Sequence, residues 1–361
     1  MTETRARPWR IAFPLFAILV MAAAWIGYWY LALEIARREF AGLAGHGVRI
    51  ACEREQWTGF PFRVTLVCDR PVFRIGAGAV TLAGQGSRLS ATALVYRPSH
   101  VIAELAGPST LTQTRAPDPA GRLPDQIVLV SDGAPVRAGL QFDFGKVERV
   151  SARLTDWSGR LTARVLGRTV EDAAVDARAL ALHWSRAPGT EGAGDEQRLA
   201  IEATGVAIVG TASRALGLDR VTLDRAELAI AATQAAAPDG RVVLTDLKAW
   251  QAAGGALRLD RLAIVQGPRQ ATGAGSFRLD GEGRIDGTLD LTVKDLEAVL
   301  DDLIAAGRLT AKQAVLAATA LRLLSKGAPA PEPGWSRVTV RLSRGRLYLG
   351  PFKAAQLAPL F

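Results

Sequence analysis

Phe277-Arg278-Leu279-Asp280-Gly281-Glu282-Gly283-Arg284-Ile285-Asp286-Gly287-Thr288-Leu289-Asp290-Leu291-Thr292-Val293 decides the fold. Phe277 and Leu279 alternate with polar neighbours, and Asp280-Gly281-Glu282-Gly283 is turn chemistry. Leu289, Leu291 and Val293 then alternate with Thr288, Asp290 and Thr292. A period of two gives a strand one dry and one wet face, the mark of antiparallel sheet.

The same period recurs in both directions along the chain. Leu89, Ala91, Ala93 and Val95 carry it, as do Val150, Ala152 and Leu154, then Leu161, Ala163 and Val165, then Ile201, Ala203, Ala207 and Val209. The spacing predicts a mainly β protein built as a large curved antiparallel meander. Residues 111–125, 186–197 and 327–334 read as polar or Pro-rich connectors. Helical spacing is confined to two short C-terminal stretches. Asp295–Ala306 carries Leu296, Val299, Leu300, Leu303 and Ile304, and a second helix opens on the capping box at Thr310 to Gln313. About 30 helical residues cannot cover a sheet of this length, so the apolar face either closes into a sandwich or lines a groove.

Residues 11–33 form an uncharged, mostly apolar run long enough to span about 30 Å of hydrocarbon. Residues 1–10 then form a cytoplasmic tail, residues 34–47 a juxtamembrane linker helix, and residues 48–361 the β-rich body. A cleaved signal ending near Ala22-Ala23-Ala24 competes with an uncleaved anchor. The run continues past that point through Trp25, Tyr28, Trp29 and Tyr30, which read as a membrane-interface belt. Arg5, Arg7 and Arg10 before the run, against Arg37 and Arg38 after it, keep the N-terminus inside and export the body. In a double-membrane bacterium that means a single-pass inner-membrane protein with a periplasmic body.

The net charge of +9 comes from 38 Arg and 6 Lys scattered singly against 35 acidic residues. There is no basic run with interleaved aromatics, which argues against nucleic-acid binding. Cys52 and Cys68 are the two cysteines, and export favours their pairing over two buried thiols. Between them Trp57-Thr58-Gly59-Phe60-Pro61-Phe62-Arg63 reads as a hairpin turn. A hairpin centred on Phe60 places Cys52 opposite Cys68, with Val48, Ile50 and Cys52 on one face with Phe62, Val64, Leu66 and Cys68, a face apolar except near the turn at Arg54 and Gln56. The turn aromatics either pack the hairpin or rest on the membrane near the anchor.

Catalytic chemistry is not written in the chain. His46, His100 and His183 are far apart and fit no metal spacing. Gly-x-Ser-x-Gly and the phosphate-binding Gly-x-x-x-x-Gly-Lys-Ser/Thr are absent. Asp301-Asp302 and Glu171-Asp172 are adjacent acids that diverge in any regular element. No catalytic, cofactor-binding or metal residues are expected, and no enzyme.

The Cys52…Trp57–Arg63…Cys68 segment after an N-terminal anchor resembles the bacterial family called domain of unknown function 2125. The stretches Gly283–Leu291 and Gly345-Arg346-Leu347-Tyr348-Leu349-Gly350-Pro351-Phe352 are also similar to it. That resemblance implies a single-pass envelope protein of alphaproteobacteria and supplies no catalytic residues. The Gly-Phe-Pro-Phe pattern and the meander are similar to AsmA-like envelope proteins, which implies a role in lipid traffic between membranes. The expected function is binding of lipid or another hydrophobic ligand in a sheet groove, with membrane lipid as partner. The alternative is a scaffold that holds another envelope protein through a sheet edge or the C-terminal tail.

Overall fold

A computed structural model describes residues 9–77, 80–117, 124–143, 146–187, 196–215, 219–234, 247–295, 298, 301, 334–349 and 352–360. It is mainly β, with one large antiparallel sheet that does not close. The two expected C-terminal helices lie outside the described residues, apart from Asp295 and isolated positions.

Helix α1 (Trp9–Gly42) runs unbroken through the apolar run and the expected linker, then tightens into a 3₁₀ turn at Leu43–His46. Gly47, at φ 79°, ends that turn and starts the sheet. The first ten strands are β1 (Val48–Ala51), β2 (Arg54–Thr58), β3 (Arg63–Asp69), β4 (Val72–Ala77), β5 (Val80–Gln85), β6 (Arg88–Leu94), β7 (Arg97–Ala106), β8 (Ser109–Arg115), β9 (Gln126–Ser131) and β10 (Val136–Asp143). They join pairwise into five long, interrupted strands. Next come the continuous hairpin β11 (Lys146–Val165) and β12 (Arg168–Ala187), then β13 (Glu196–Gly210) and β14 (Val221–Ala232). The meander ends with β15 (Ala256–Gln266), β16 (Arg269–Leu279), β17 (Ile285–Lys294), β18 (Trp335–Ser343), β19 (Arg346–Leu349) and β20 (Phe352–Gln356). Two short helices, α2 (Thr211–Ala215) and α3 (Leu247–Ala252), were not expected from the sequence. Trp250 of α3 is buried, donates to Thr233 O at 2.8 Å and covers Gly255. The supposed loops at 111–125 and 186–197 are shorter than expected: Leu111–Arg115 belongs to β8, Arg186-Ala187 to β12 and Glu196-Gln197 to β13. Thr112 and Thr114, β-branched and alternating with Leu111 and Gln113, suit a strand.

The interruptions line up across the sheet as a crease. Arg70 at φ 47° separates β3 from β4, and its N–H donates to Ser87 O, between β5 and β6, at 3.0 Å. Ser87 N–H donates to Ala106 O at 3.1 Å, where Gly107-Pro108 separates β7 from β8. Asp132, between β9 and β10, donates to Ser158 O beside Asp156, at φ 47° in β11. The line continues through Arg178 to Gly205, at φ 58°, since Thr155 and Trp157 face Ala179 and Ala177, which face Thr204 and Val206. Left-handed residues inside strands bend them and strengthen twist, which gives this open sheet its curvature.

The hairpin at 280–284 forms as expected, with Leu279 facing Ile285 and Gly273 facing Leu291. Asp280 Oδ1 accepts N–H bonds from Glu282 and Arg284, both at 3.0 Å, and Oδ2 accepts from Arg284 Nε at 2.8 Å. Partial burial alone would raise the Asp280 pKa. The Arg284 N–H, its side-chain bond, the Glu282 N–H and the Arg284 charge outweigh that and hold it below the ordinary value. A depressed carboxylate pKa adds stability above the ordinary aspartate pKa of about 4, which disappears as pH falls through the native value. The stability gap between wild type and Asp280→Asn, measured by urea titration, should be open at pH 7 and close as pH falls through the depressed native pKa.

Candidate functional site

The turn motif and the anchor aromatics meet. Trp25 Nε1 donates to Pro61 O (3.0 Å), Tyr28 OH to Val95 O (2.8 Å) and Trp29 Nε1 to Arg63 O (2.9 Å). Phe62 packs on Trp25, Phe60 on Trp29, and Trp57 on Phe40. Trp29 and Leu33 are buried with Val64 and Val95 beneath the helix, and Trp25, Ala32, Ala36 and Trp57 pack around them. Tyr30 remains exposed. Sequence reasoning missed this docking because a helix–hairpin contact leaves no local pattern.

The Cys52–Cys68 disulfide forms, with Cα atoms 5.2 Å apart. Its predicted register is corrected. Trp57 faces Leu66 and Glu55 faces Cys68, so the hairpin is centred after Pro61 rather than on Phe60. The turn closes through Arg63 N–H to Gly59 O at 3.1 Å, with Gly59 at φ 112°. A slip of this kind moves the other parity onto the dry face. Trp57 therefore joins Val64 and Leu66, in place of Gln56 and Arg54. Cys52 reaches Cys68 because it lies in the break between β1 and β2, where Glu53 N–H donates to Asp69 O.

Stacking the registers strand by strand reveals the second element of the site. One row of facing residues runs Trp57, Leu66, Ala91, Ala103, Ala138, Ala152, Leu182, Ile201, Leu228, Leu262, Gly273, Leu291, Val338. The adjacent row on that face begins at Val64, passes Val101, Val150, Trp184 and Ile230, and reaches Leu289 and Val340. Neither row contains a charged residue. Leu66 and Val64 at one end and Val338 and Val340 at the other are buried, while Leu182, Trp184, Ile201 and Leu228 between them are half-buried. The result is a continuous uncharged lane with dry ends. Its far end meets an apolar cleft of about 370 Å³ lined by Leu247, Trp250, Leu257, Phe277, Ile285 and Leu342.

The opposite face is wet and charged. Arg88 pairs with Asp69 (3.0 Å), Arg137 with Glu104 (2.8 Å) and Arg160 with Asp172 (3.2 Å), all between neighbouring strands. Such exposed pairs contribute about 0–1 kcal/mol each. They give Arg88, Arg137 and Arg160 partners within the sheet. Among the described residues no group of three or more His, Cys, Asp or Glu could hold a metal ion.

Residues 32–358 match the family described as an uncharacterized protein conserved in bacteria, DUF2125. The chain belongs to the DUF2125 family. The match takes in the docked hairpin, the disulfide and the whole lane of this DUF2125 protein, and it includes only the last two residues of the apolar run. No curated protein and no solved structure matches it, and nothing matched is AsmA-like.

Proposed function

We propose that this DUF2125 protein is a non-enzymatic, inner-membrane-anchored envelope protein that holds lipid acyl chains, or a ligand of similar oily length, along the uncharged lane. The observation that carries this reading is the lane itself, an unbroken apolar row that starts under the anchor helix. Phospholipid tails need a surface without charge and without unpaired backbone polar groups, and the centre of a sheet supplies both. The anchor reading is supported by an apolar helix whose membrane-length window is only 6% buried, unlike a core helix. Retention of the helix is supported by the Trp25, Tyr28 and Trp29 bonds to the body. The flanking arginines favour a periplasmic body, and envelope lipid homeostasis of AsmA-like kind is the fitting physiological class.

Native mass spectrometry of the full chain, extracted in mild detergent, tests the proposal. Wild type should retain phospholipid, and Leu182→Arg with Leu228→Arg should retain at least tenfold less while keeping its far-ultraviolet circular dichroism. A lipid-free wild-type protein would overturn the reading. A scaffold role is favoured by one observation: β20 pairs with β19 alone among the described strands, leaving an edge for another chain. Photocrosslinking from β20 in cells to a stoichiometric protein partner would support that role instead.

A further inference from the structure

The depth of α1 in a bilayer and the height of the body are coupled. Trp25, Tyr28 and Trp29 hold two turns against the helix: Gly59–Phe62 of the first hairpin, and Leu94–Tyr96 between β6 and β7. Val95 N–H donates to Phe62 O at 3.1 Å and ties the two turns together. The uncharged run before these contacts, Ile11–Ala24, gives only about 21 Å of helix, short of about 30 Å of hydrocarbon. The full run to Leu33 gives about 34 Å. Spanning therefore requires the docked segment, and whatever is bound to that segment goes with it.

We infer that the Gly59–Phe62 and Leu94–Tyr96 turns are immersed in the membrane interface beside α1, as a second, non-spanning lipid contact of the body. Three further observations fit lipid as the occupant. The turns expose Phe60 (54%), Phe62 (59%) and Tyr96 (61%), continuous with the exposed apolar surface of the helix. Their carbonyls at Pro61, Arg63 and Val95 accept from Trp25, Trp29 and Tyr28, and the Phe62 carbonyl accepts from Val95. Backbone groups that enter lipid must be satisfied in this way. Exposed Arg63 and Arg97 flank the turns, where their charges suit anionic headgroups. The lane's first rung, Trp57–Leu66, then lies just above the bilayer. The inference rests on α1 as a membrane anchor and not on lipid in the lane.

Nitroxide labels on Phe60→Cys, Phe62→Cys and Tyr96→Cys test it in the full chain reconstituted in phosphatidylethanolamine–phosphatidylglycerol vesicles. The native cysteines are paired and take no label. Leu19→Cys in the helix and Leu166→Cys in the exposed β11–β12 turn are the references. Collisions with oxygen should exceed those with a water-soluble nickel chelate at 19, 60, 62 and 96, and the order should reverse at 166. Chelate-dominated signals at 60, 62 and 96 with an immersed 19 would overturn the immersion alone. A wet 19 as well would overturn the anchor with it. Tyr96→Cys lies outside the ring contacts and keeps the test valid if labels at 60 or 62 disturb docking. Immersed turns on a protein whose lane holds no lipid would support this inference while rejecting the lane proposal.

Discussion

Trp157→Ala is expected to cost about 3–5 kcal/mol of folding stability, measured by urea unfolding of the detergent-solubilised chain. Trp157 is 6% exposed, and its ring lies over Gly159, where a Cβ would approach Cζ2 to 2.5 Å. Its Nε1 donates to Ser131 Oγ at 2.7 Å across the crease. Alanine would leave a cavity between two bent strands and a buried hydroxyl short of its partner, which adds to the packing loss. Asp156, at φ 47°, points the chain so that the ring enters this corner. Trp157→Phe should recover most of the packing and fail to recover the hydrogen bond, leaving a deficit of about 1–3 kcal/mol. A loss under 1 kcal/mol for alanine would mean that the crease is not held by this side chain.

Replacing Cys52 and Cys68 together by serine should destabilise the body by about 3 kcal/mol, as expected for closure of a loop of this length. Cys68 is fully buried and shares its face with Leu66 and Leu89. The bond also bridges the break between β1 and β2, where ladder pairing lapses at Cys52-Glu53. Loss should therefore be local before it is global. Limited proteolysis of the variant should cut first within 52–70, with the β11–β18 region still protected. Identical cleavage patterns in wild type and variant would show that the hairpin is held by α1 docking alone.

The hairpin at 280–284 was legible because its turn chemistry and alternation sit within a few residues. The first hairpin was legible as a hairpin but not in its register, because Val64, Leu66 and Cys68 look dry under either pairing. The conflict was visible in Gln56 and Arg54, which the Phe60-centred register left on the apolar face. Pro71, Gly86 and Gly107-Pro108 are turn-forming residue types. That they form one line needs the cross-strand register, which is long-range information. The lane was hidden for the same reason: each strand shows two or three apolar residues, and only their stacking makes a path. Trp25, Tyr28 and Trp29 carry a polar tip on an apolar body, a chemistry shared by interface belts and docking contacts. Their spacing alone cannot separate the two.

Because each strand of β11–β18 pairs with its chain neighbours, the sheet grows in one direction like a repeat array. Strands lie about 4.8 Å apart, so the row from Trp57 to Val338 measures about 60 Å along the sheet. Removing or adding one hairpin would change that length by about 10 Å and keep both buried ends intact. Reach is thus an independent variable of this architecture: strand number sets how far from the helix the far cleft stands, and neither end need change to alter it.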